Sequence, residues 1–365
     1  MAEKIRLGFV GANVRSNWAS QSHFPALLAS PDIEMTAVCT TRPESAEQAR
    51  EAFGAKLAFH DYREMVASPE IDAVAVVVKV PDHYGPTKAA LEAGKHVYTE
   101  WPLGRTTAEA EELADLARAK GVQTAVGLQS RVSPTLMHVK DLLASGYVGE
   151  VLSCHVACIR DGSLSRPSSR TWQRDAALGA NTLTIANGHV IDALRFVAGD
   201  FARISSVVAT QAPQWYEPDT QQLVDVTSPD NVLVMGQLKR GAVASSHVAA
   251  APWAGTGFRL EIYGRDGTLI VTGDVSSQRG QTLRLQGAQG GHDLADLEVP
   301  DQYVFVPADF PRGDPFNVGQ MYALFAEAVQ TGQNRLPTFD TAVDLHRFLD
   351  AIKQASDERR EVALA

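Results

Sequence analysis

The sequence predicts two domains of different class. An α/β Rossmann-type domain with a doubly wound parallel sheet is expected over residues 1–130. An α+β domain with an open, largely antiparallel sheet is expected over 131–365, its C-terminal helices available to pack back on the first domain. Three observations carry this. Short apolar strands alternate regularly with amphipathic helices through the first domain. A glycine turn, Gly11-Ala12-Asn13, follows the first strand directly. Beyond about residue 150 the pattern changes to alternating strands joined by tight turns. A chain of 365 residues is long enough for two cores, and its 45% hydrophobic and 21% charged content is that of a globular protein.

Ile5–Val10 is a short apolar run bounded by charges and reads as a buried strand. After the turn, Trp18, Phe24, Leu27 and Leu28 recur at helical spacing, and the helix should end near Ser30-Pro31. Such a unit suits a dinucleotide. A glycine lets backbone approach the pyrophosphate, and the helix N-terminus offers it N–H groups and a positive dipole end. Counted as G-x-G-x-x-G, the motif has Asn13 and Ser16 at its second and third glycines. Ile33–Cys39 is the second strand, 44–53 a helix, 58–59 the approach to a short helix at 61–67, and Ile71–Val78 a β-branched run suited to a central parallel strand. A helix at 84–93 closed by Gly94, a strand at His96–Thr99, a helix at 107–120 between a Thr cap and Gly121, and a strand at 122–126 complete the alternation.

Ligands on such a sheet bind at the carboxyl ends of the strands. The second strand ends in Thr40-Thr41-Arg42, where an NAD-specific site would carry a carboxylate for the ribose. Hydroxyls followed by Arg42 suit a 2′-phosphate, so NADP is favoured over NAD. The next two strand ends are Lys79-Val80-Pro81-Asp82-His83 and Glu100-Trp101-Pro102-Leu103.

VPDHYGPTKAALEAGKHVYTEWPL resembles the segment of the Gfo/Idh/MocA oxidoreductases that runs from a Pro and His through AL-x-AGKHV to Glu-Lys-Pro. The resemblance continues through Gln129-Ser130-Arg131, Gly146–Val151, Trp172, Arg174, Gly179, the His189–Asp192 helix and Gly332 to Val362, covering nearly the whole chain. The GFVGANVRSNWA start and Glu100-Trp101-Pro102 look closest to the Gal80-like branch, whose yeast member is an NAD(P)-binding transcriptional regulator. The resemblance implies a nicotinamide cofactor contacted by Gly11, Asn13, Trp18, Thr40, Thr41, Arg42, Val80, Pro81, His83, Glu100, Trp101 and Gln129, and a substrate met by Arg131, Arg174 and His189. The family's catalytic Lys falls at Trp101 and its helix carboxylate at Ile185. An indole exchanges no proton at neutral pH. Trp101 then reads as a packing or nicotinamide-stacking residue and Glu100 as a hydrogen-bonding one. His189 is the first acid–base candidate, because imidazole titrates near neutrality, with Asp192 one turn later to orient it. Lys79 is the second, on condition that burial lowers its pKa. His83 should shape the cofactor loop.

The second half reads as strands at 152–160, 202–211, 231–239, 242–250, 258–263 and 268–271, with hairpin turns at Arg240-Gly241 and Asp266-Gly267. Helices at 180–198, 316–330 and 341–356 should cover one face of that sheet. The other face, in such a family, makes dimer contacts, so a homodimer or homotetramer is expected. The polar segment 160–175, with Arg160, Arg166, Arg170 and Arg174, suits an anionic or hydroxyl-rich ligand.

A net charge of −10 argues against nucleic acid as a partner, and no run of roughly 18 apolar residues predicts a membrane span. Three scattered cysteines without zinc spacing fit a cytoplasmic protein with no metal site. Two functions follow: an NAD(P)-dependent oxidoreductase acting on a carbohydrate-like small molecule, or a non-catalytic NAD(P)-binding sensor of Gal80 type.

Overall fold

A computed structural model describes residues 3–15, 18–162, 164–274 and 277–364. The chain divides into two compact units, one of residues 1–132 and 304–346, the other of 133–303 and 347–365.

The first unit is built on a six-stranded parallel sheet. Its elements are β1 (Ile5–Val10), α1 (Phe24–Leu28), β2 (Ile33–Cys39), α2 (Pro43–Phe53), β3 (Leu57–Phe59), α3 (Tyr62–Ala67), β4 (Ala73–Val76), α4 (Tyr84–Glu92), β5 (His96–Thr99), α5 (Thr107–Lys120) and β6 (Thr124–Val126). The strand order is β3-β2-β1-β4-β5-β6, the doubly wound order with its switch between β1 and β4. The central strands are buried along nearly their whole length, because helices lie on both faces of such a sheet. Local chemistry sets the helix ends. The Thr106 hydroxyl accepts the Glu109 amide at the start of α5, and Gly121 closes it in a left-handed conformation.

The first crossover differs from expectation. A π-helical turn over Ala19–His23 leads into α1, and Leu28 is 63% exposed rather than inward-facing. The wider turn shifts the phase of the helix, so Phe24 and Leu27 pack inward and Leu28 does not. Ser16 lies outside the described residues. The helix Asp314–Thr331 had two expected places, over the second sheet or back on the first domain. It packs in the first unit, where Val318, Met321, Tyr322 and Phe325 join Leu7, Phe9, Phe24 and Tyr98 in one core.

The second unit holds α6 (Pro134–Ala144), β7 (Val151–Arg160), α7 (Asn187–Ala198), β8 (Phe201–Ala209), β9 (Gln214–Glu217), β10 (Gln222–Asp225), β11 (Asn231–Leu238), β12 (Val243–Ala250), β13 (Gly257–Gly264), β14 (Gly267–Gly273), β15 (Arg284–Gln289) and β16 (Ala295–Asp296). After α8 (the Asp314–Thr331 helix), α9 (Phe339–Glu358) and β17 (Val362–Ala363) close the chain. The large sheet runs β16-β15-β14-β13-β7-β12-β11-β8-β17, antiparallel except between β7 and β12, and β9–β10 is a separate hairpin. Side chains alternate. Cys154, Val156, Cys158, Val232, Val234, Leu260 and Ile262 are buried, and α7 together with the latter half of α9 lies on that face: the Ser206 hydroxyl donates to the Ile352 carbonyl at 2.5 Å, and Phe201 stacks on Phe348. The opposite face presents Val207, Leu233, Met235, Val243 and Tyr263, all exposed.

Candidate functional site

The crevice at the β1/β4 switch is shaped by Gly11. Its φ is +97°, and its amide donates to the Cys39 carbonyl at 3.0 Å. A Cβ there would run into the Val77 carbonyl oxygen, so only glycine turns the chain here while leaving bare backbone at the crevice. Asn13 follows in an Asx turn, its side-chain oxygen accepting the Arg15 amide at 2.9 Å. A bare glycine turn feeding a helical start fits the pyrophosphate of a dinucleotide. At the end of β2, the Thr40 hydroxyl meets Ser45 Oγ at 2.7 Å and donates to the Arg42 carbonyl at 3.0 Å, while Thr41 and Arg42 stay exposed at the start of α2. Arg42 is thus an exposed residue whose backbone carbonyl accepts from the Thr40 and Ser45 hydroxyls.

After β4 the chain turns through Val80–Asp82. Val80 is buried, Pro81 half-buried and Lys79 exposed. The burial on which the Lys79 reading depends is therefore missing, because Val80 takes the inward place. His83 is fully enclosed, with Nδ1 2.7 Å from the Pro102 carbonyl and Nε2 3.1 Å from the Val78 carbonyl. Burial lowers its pKa. It ties the end of β4 to the turn after β5.

Glu100 is the hub of a buried polar cluster. Its Oε1 accepts from the Tyr98 hydroxyl at 2.9 Å and the Gln129 amide at 2.8 Å, with His23 Nε2 at 3.2 Å. Its Oε2 accepts from the Trp18 indole N–H at 3.1 Å. His23 Nδ1 lies 2.8 Å from the Tyr322 hydroxyl. Gly127 makes room, since a Cβ there would sit 2.5 Å from Oε1. Burial, then the Glu100 charge, raise the pKa of both Tyr98 and Tyr322, which keeps the two phenols protonated as donors. The cluster thus joins three expected cofactor residues, Trp18, Glu100 and Gln129, to three that sequence reading missed. Tyr98 had a signal, since it shares a strand face with Glu100 two residues on. His23 and Tyr322 had none. Trp101 is 4% exposed, its ring centroid 4.8 Å from that of His346, so the protein itself covers most of the indole. Burial pushes the pKa of His346 down to about 4. Arg131 sits half-buried just after Gln129.

In the second unit, His189 and Asp192 are buried one turn apart on α7. Ile185 lies on the π-helical turn Thr182–Ala186 that Asn181 and Thr184 cap reciprocally. Arg174 is exposed and reaches the Asp225 carbonyl at 3.3 Å. Among the described residues no cluster of His, Cys, Asp and Glu is arranged to hold a metal, and no helix is long and apolar enough to cross a membrane.

Residues 5–128 match the Gfo/Idh/MocA model, an oxidoreductase family with an NAD-binding Rossmann fold, and 134–273 match the Gal80p C-terminal domain. Dehydrogenase aclE of Aspergillus oryzae is 33% identical over 98% of this chain and 97% of its own length. The chain belongs to the Gfo/Idh/MocA family, in its Gal80-like branch. The galactose/lactose metabolism regulatory protein GAL80 of Saccharomyces cerevisiae is 30% identical over 75% of this chain and 68% of its own. A solved levoglucosan dehydrogenase in complex with NADH and L-sorbose shares the fold over the full length of both chains, with a TM-score of 0.87 at 21% identity. The first unit is thus an NAD-binding Rossmann domain of this family.

Proposed function

We propose that this protein is an NADP-preferring oxidoreductase that moves hydride to or from a sugar, cyclitol or related hydroxy/oxo compound, with Trp101 in place of the family's usual lysine. The observation that carries the reading is His189. It is buried on α7 at the family's helix-histidine position, in a chain 33% identical to a named dehydrogenase across nearly its whole length. When bound, the nicotinamide supplies the hydride chemistry. An imidazole nitrogen of His189 takes the proton of the substrate hydroxyl during oxidation and returns it during reduction, and Asp192 positions the ring. Arg131 and Arg174 are assigned to substrate contact. Trp18, Glu100 and Gln129 form the braced floor of the cofactor crevice. Gly11, Asn13, Val80, Pro81 and His83 shape its walls, and Thr40, Thr41 and Arg42 receive the 2′-phosphate. Trp101 closes it as apolar packing.

The bare face of the nine-stranded sheet, with Leu233 and Met235 exposed on β11, is the surface on which two copies pair. Cys39, Cys154 and Cys158, all unbridged and buried, fit a reducing cytoplasm. A second reading has its own support. Trp101 and Ile185 remove two proton-handling positions, and a regulatory protein is among the relatives, so a cofactor-reporting sensor is the alternative.

Steady-state assays of NADPH and NADH turnover over a panel of sugars and cyclitols decide between them. Under the enzyme reading the parent turns over, and His189→Ala lowers kcat by roughly 10²–10⁴ with cofactor affinity unchanged. Tight cofactor binding with no turnover on any panel member selects the sensor.

A further inference from the structure

The segment between β7 and α7 carries arginines that the proposed reaction does not use. Its scaffold is fixed to the β9–β10 hairpin. The Tyr216 amide donates to the Leu164 carbonyl at 2.9 Å, the Arg166 amide to the Tyr216 carbonyl at 3.0 Å, and the Ser168 amide to Asp219 at 2.8 Å. Two further carboxylates around it are already engaged, while Asp161 beside Arg160 is exposed. Glu217 accepts from the hydroxyls of Thr171 and Thr220. Buried Asp230 accepts from the Gln211 and Ala212 amides and the Asn231 side chain.

On this frame sit three guanidinium groups. Arg166 is half-buried, 4.0 Å above the Trp215 ring, and donates to the Gln173 side-chain oxygen at 2.9 Å. Arg160, at the carboxyl end of β7, is half-buried, and Arg170 is exposed. Among the described residues none of the three makes an ion pair with a carboxylate. Burial first, then the Arg170 and Arg160 charges, push the pKa of Arg166 down to about 10, and burial lowers that of Arg160 too. Positive charge gathered on a fixed frame, part-desolvated and not neutralised, is unfavourable alone and is offset by an anion that accepts from several N–H groups at once.

We propose that Arg160, Arg166 and Arg170 form an oxyanion site for the carboxylate or phosphate of an acidic carbohydrate-like ligand. The carbohydrate part rests on the function proposed above; the anion part does not. Planar guanidinium forks suit both groups, and Trp215 holds the Arg166 fork flat.

Calorimetric titration of the full chain at fixed ionic strength tests this with glucuronate, glucose 6-phosphate, inorganic phosphate and neutral glucose. At least one of the three acidic probes binds saturably, and glucose binds at least tenfold more weakly. Glucuronate alone assigns the site to carboxylates; glucose 6-phosphate with phosphate assigns it to phosphates. Arg166→Gln weakens the bound probe at least tenfold, and Arg166→Lys recovers only part, while NADH affinity and thermal midpoint stay at parental values. Should Arg166→Gln not fold, the exposed Arg170→Gln replaces it, with a smaller loss of several-fold. Glucose binding as tightly as the acidic probes, no saturable binding of any acidic probe, or unchanged affinity in a folded Arg variant overturns the site. None of these readouts needs turnover, so an inactive dehydrogenase and an absent anion site are told apart.

Discussion

The two sheets bury themselves differently. The six-stranded sheet is parallel and covered on both faces, so its strands are unbroken apolar runs such as Ala73–Val76. The nine-stranded sheet is mostly antiparallel and covered on one face. Its strands therefore alternate, Val232 and Val234 inward, Leu233 and Met235 outward. The first sheet has its chemistry only at the strand ends, where side chains escape the layers. The second leaves a broad face of exposed side chains along the strands themselves.

The largest test of this contrast is at a strand end. Gly11→Val forces a branched side chain into a left-handed backbone and against the Val77 carbonyl. It should lower stability by on the order of 4 kcal/mol and abolish cofactor binding. Urea denaturation and NADH fluorescence titration read both, and parental NADH affinity would break the account of the crevice. Next comes the neutral histidine inside the doubly covered unit. His346 has its pKa lowered from 6.5 to about 4, so between those values the unfolded chain binds a proton that the folded chain does not. Stability contributed at neutral pH is lost as pH falls from about 6.5 towards 4, by at most about 3 kcal/mol. Denaturation at pH 7 and pH 4.5 should show this loss shrink in His346→Phe; an unaltered difference places the acid sensitivity elsewhere.

The bare face is tested by Leu233→Lys with Met235→Lys. Two charges there should weaken self-association by about 2 kcal/mol without unfolding the chain, because neither side chain is in the core. Sedimentation velocity checks it, and an oligomer that persists in the variant removes this face as the interface. The smallest effect belongs to Arg42→Ala. The guanidinium is exposed, so losing its phosphate contact should cost about 1 kcal/mol, roughly fivefold in NADPH affinity, with NADH untouched. Equal parental affinity for both cofactors rules out the assignment.

The same contrast explains what could be read from the residues alone. Ile33–Cys39 and Thr107–Lys120 stand in the structure with the ends expected of them, since a β-branched run and a Thr cap facing a terminal glycine are local signals. The antiparallel hairpins at Arg240-Gly241 and Asp266-Gly267 were equally local. The home of α8 was not, because its apolar residues would suit either sheet and only packing chooses. The burial of Lys79 was left open by the sequence, because one residue decides which side chain enters at a strand end, and Val80 takes that place. The cluster around Glu100 was half legible: the strand period joins Tyr98 to it, whereas His23 and Tyr322 lie 299 positions apart and meet through folding alone.

Gly127 and Glu100 are bound to each other's fate. The carboxylate occupies the space a side chain at 127 would need, with Oε1, the carboxyl carbon and Oε2 all within 2.9 Å of that missing Cβ. A methyl group at 127 evicts Glu100 from its four contacts with Trp18, Tyr98, Gln129 and His23. Shortening residue 100 first, to serine or glycine, vacates the same volume. The two positions are therefore epistatic: the order in which they change decides whether an intermediate survives, and drift at either one is gated by the identity of the other.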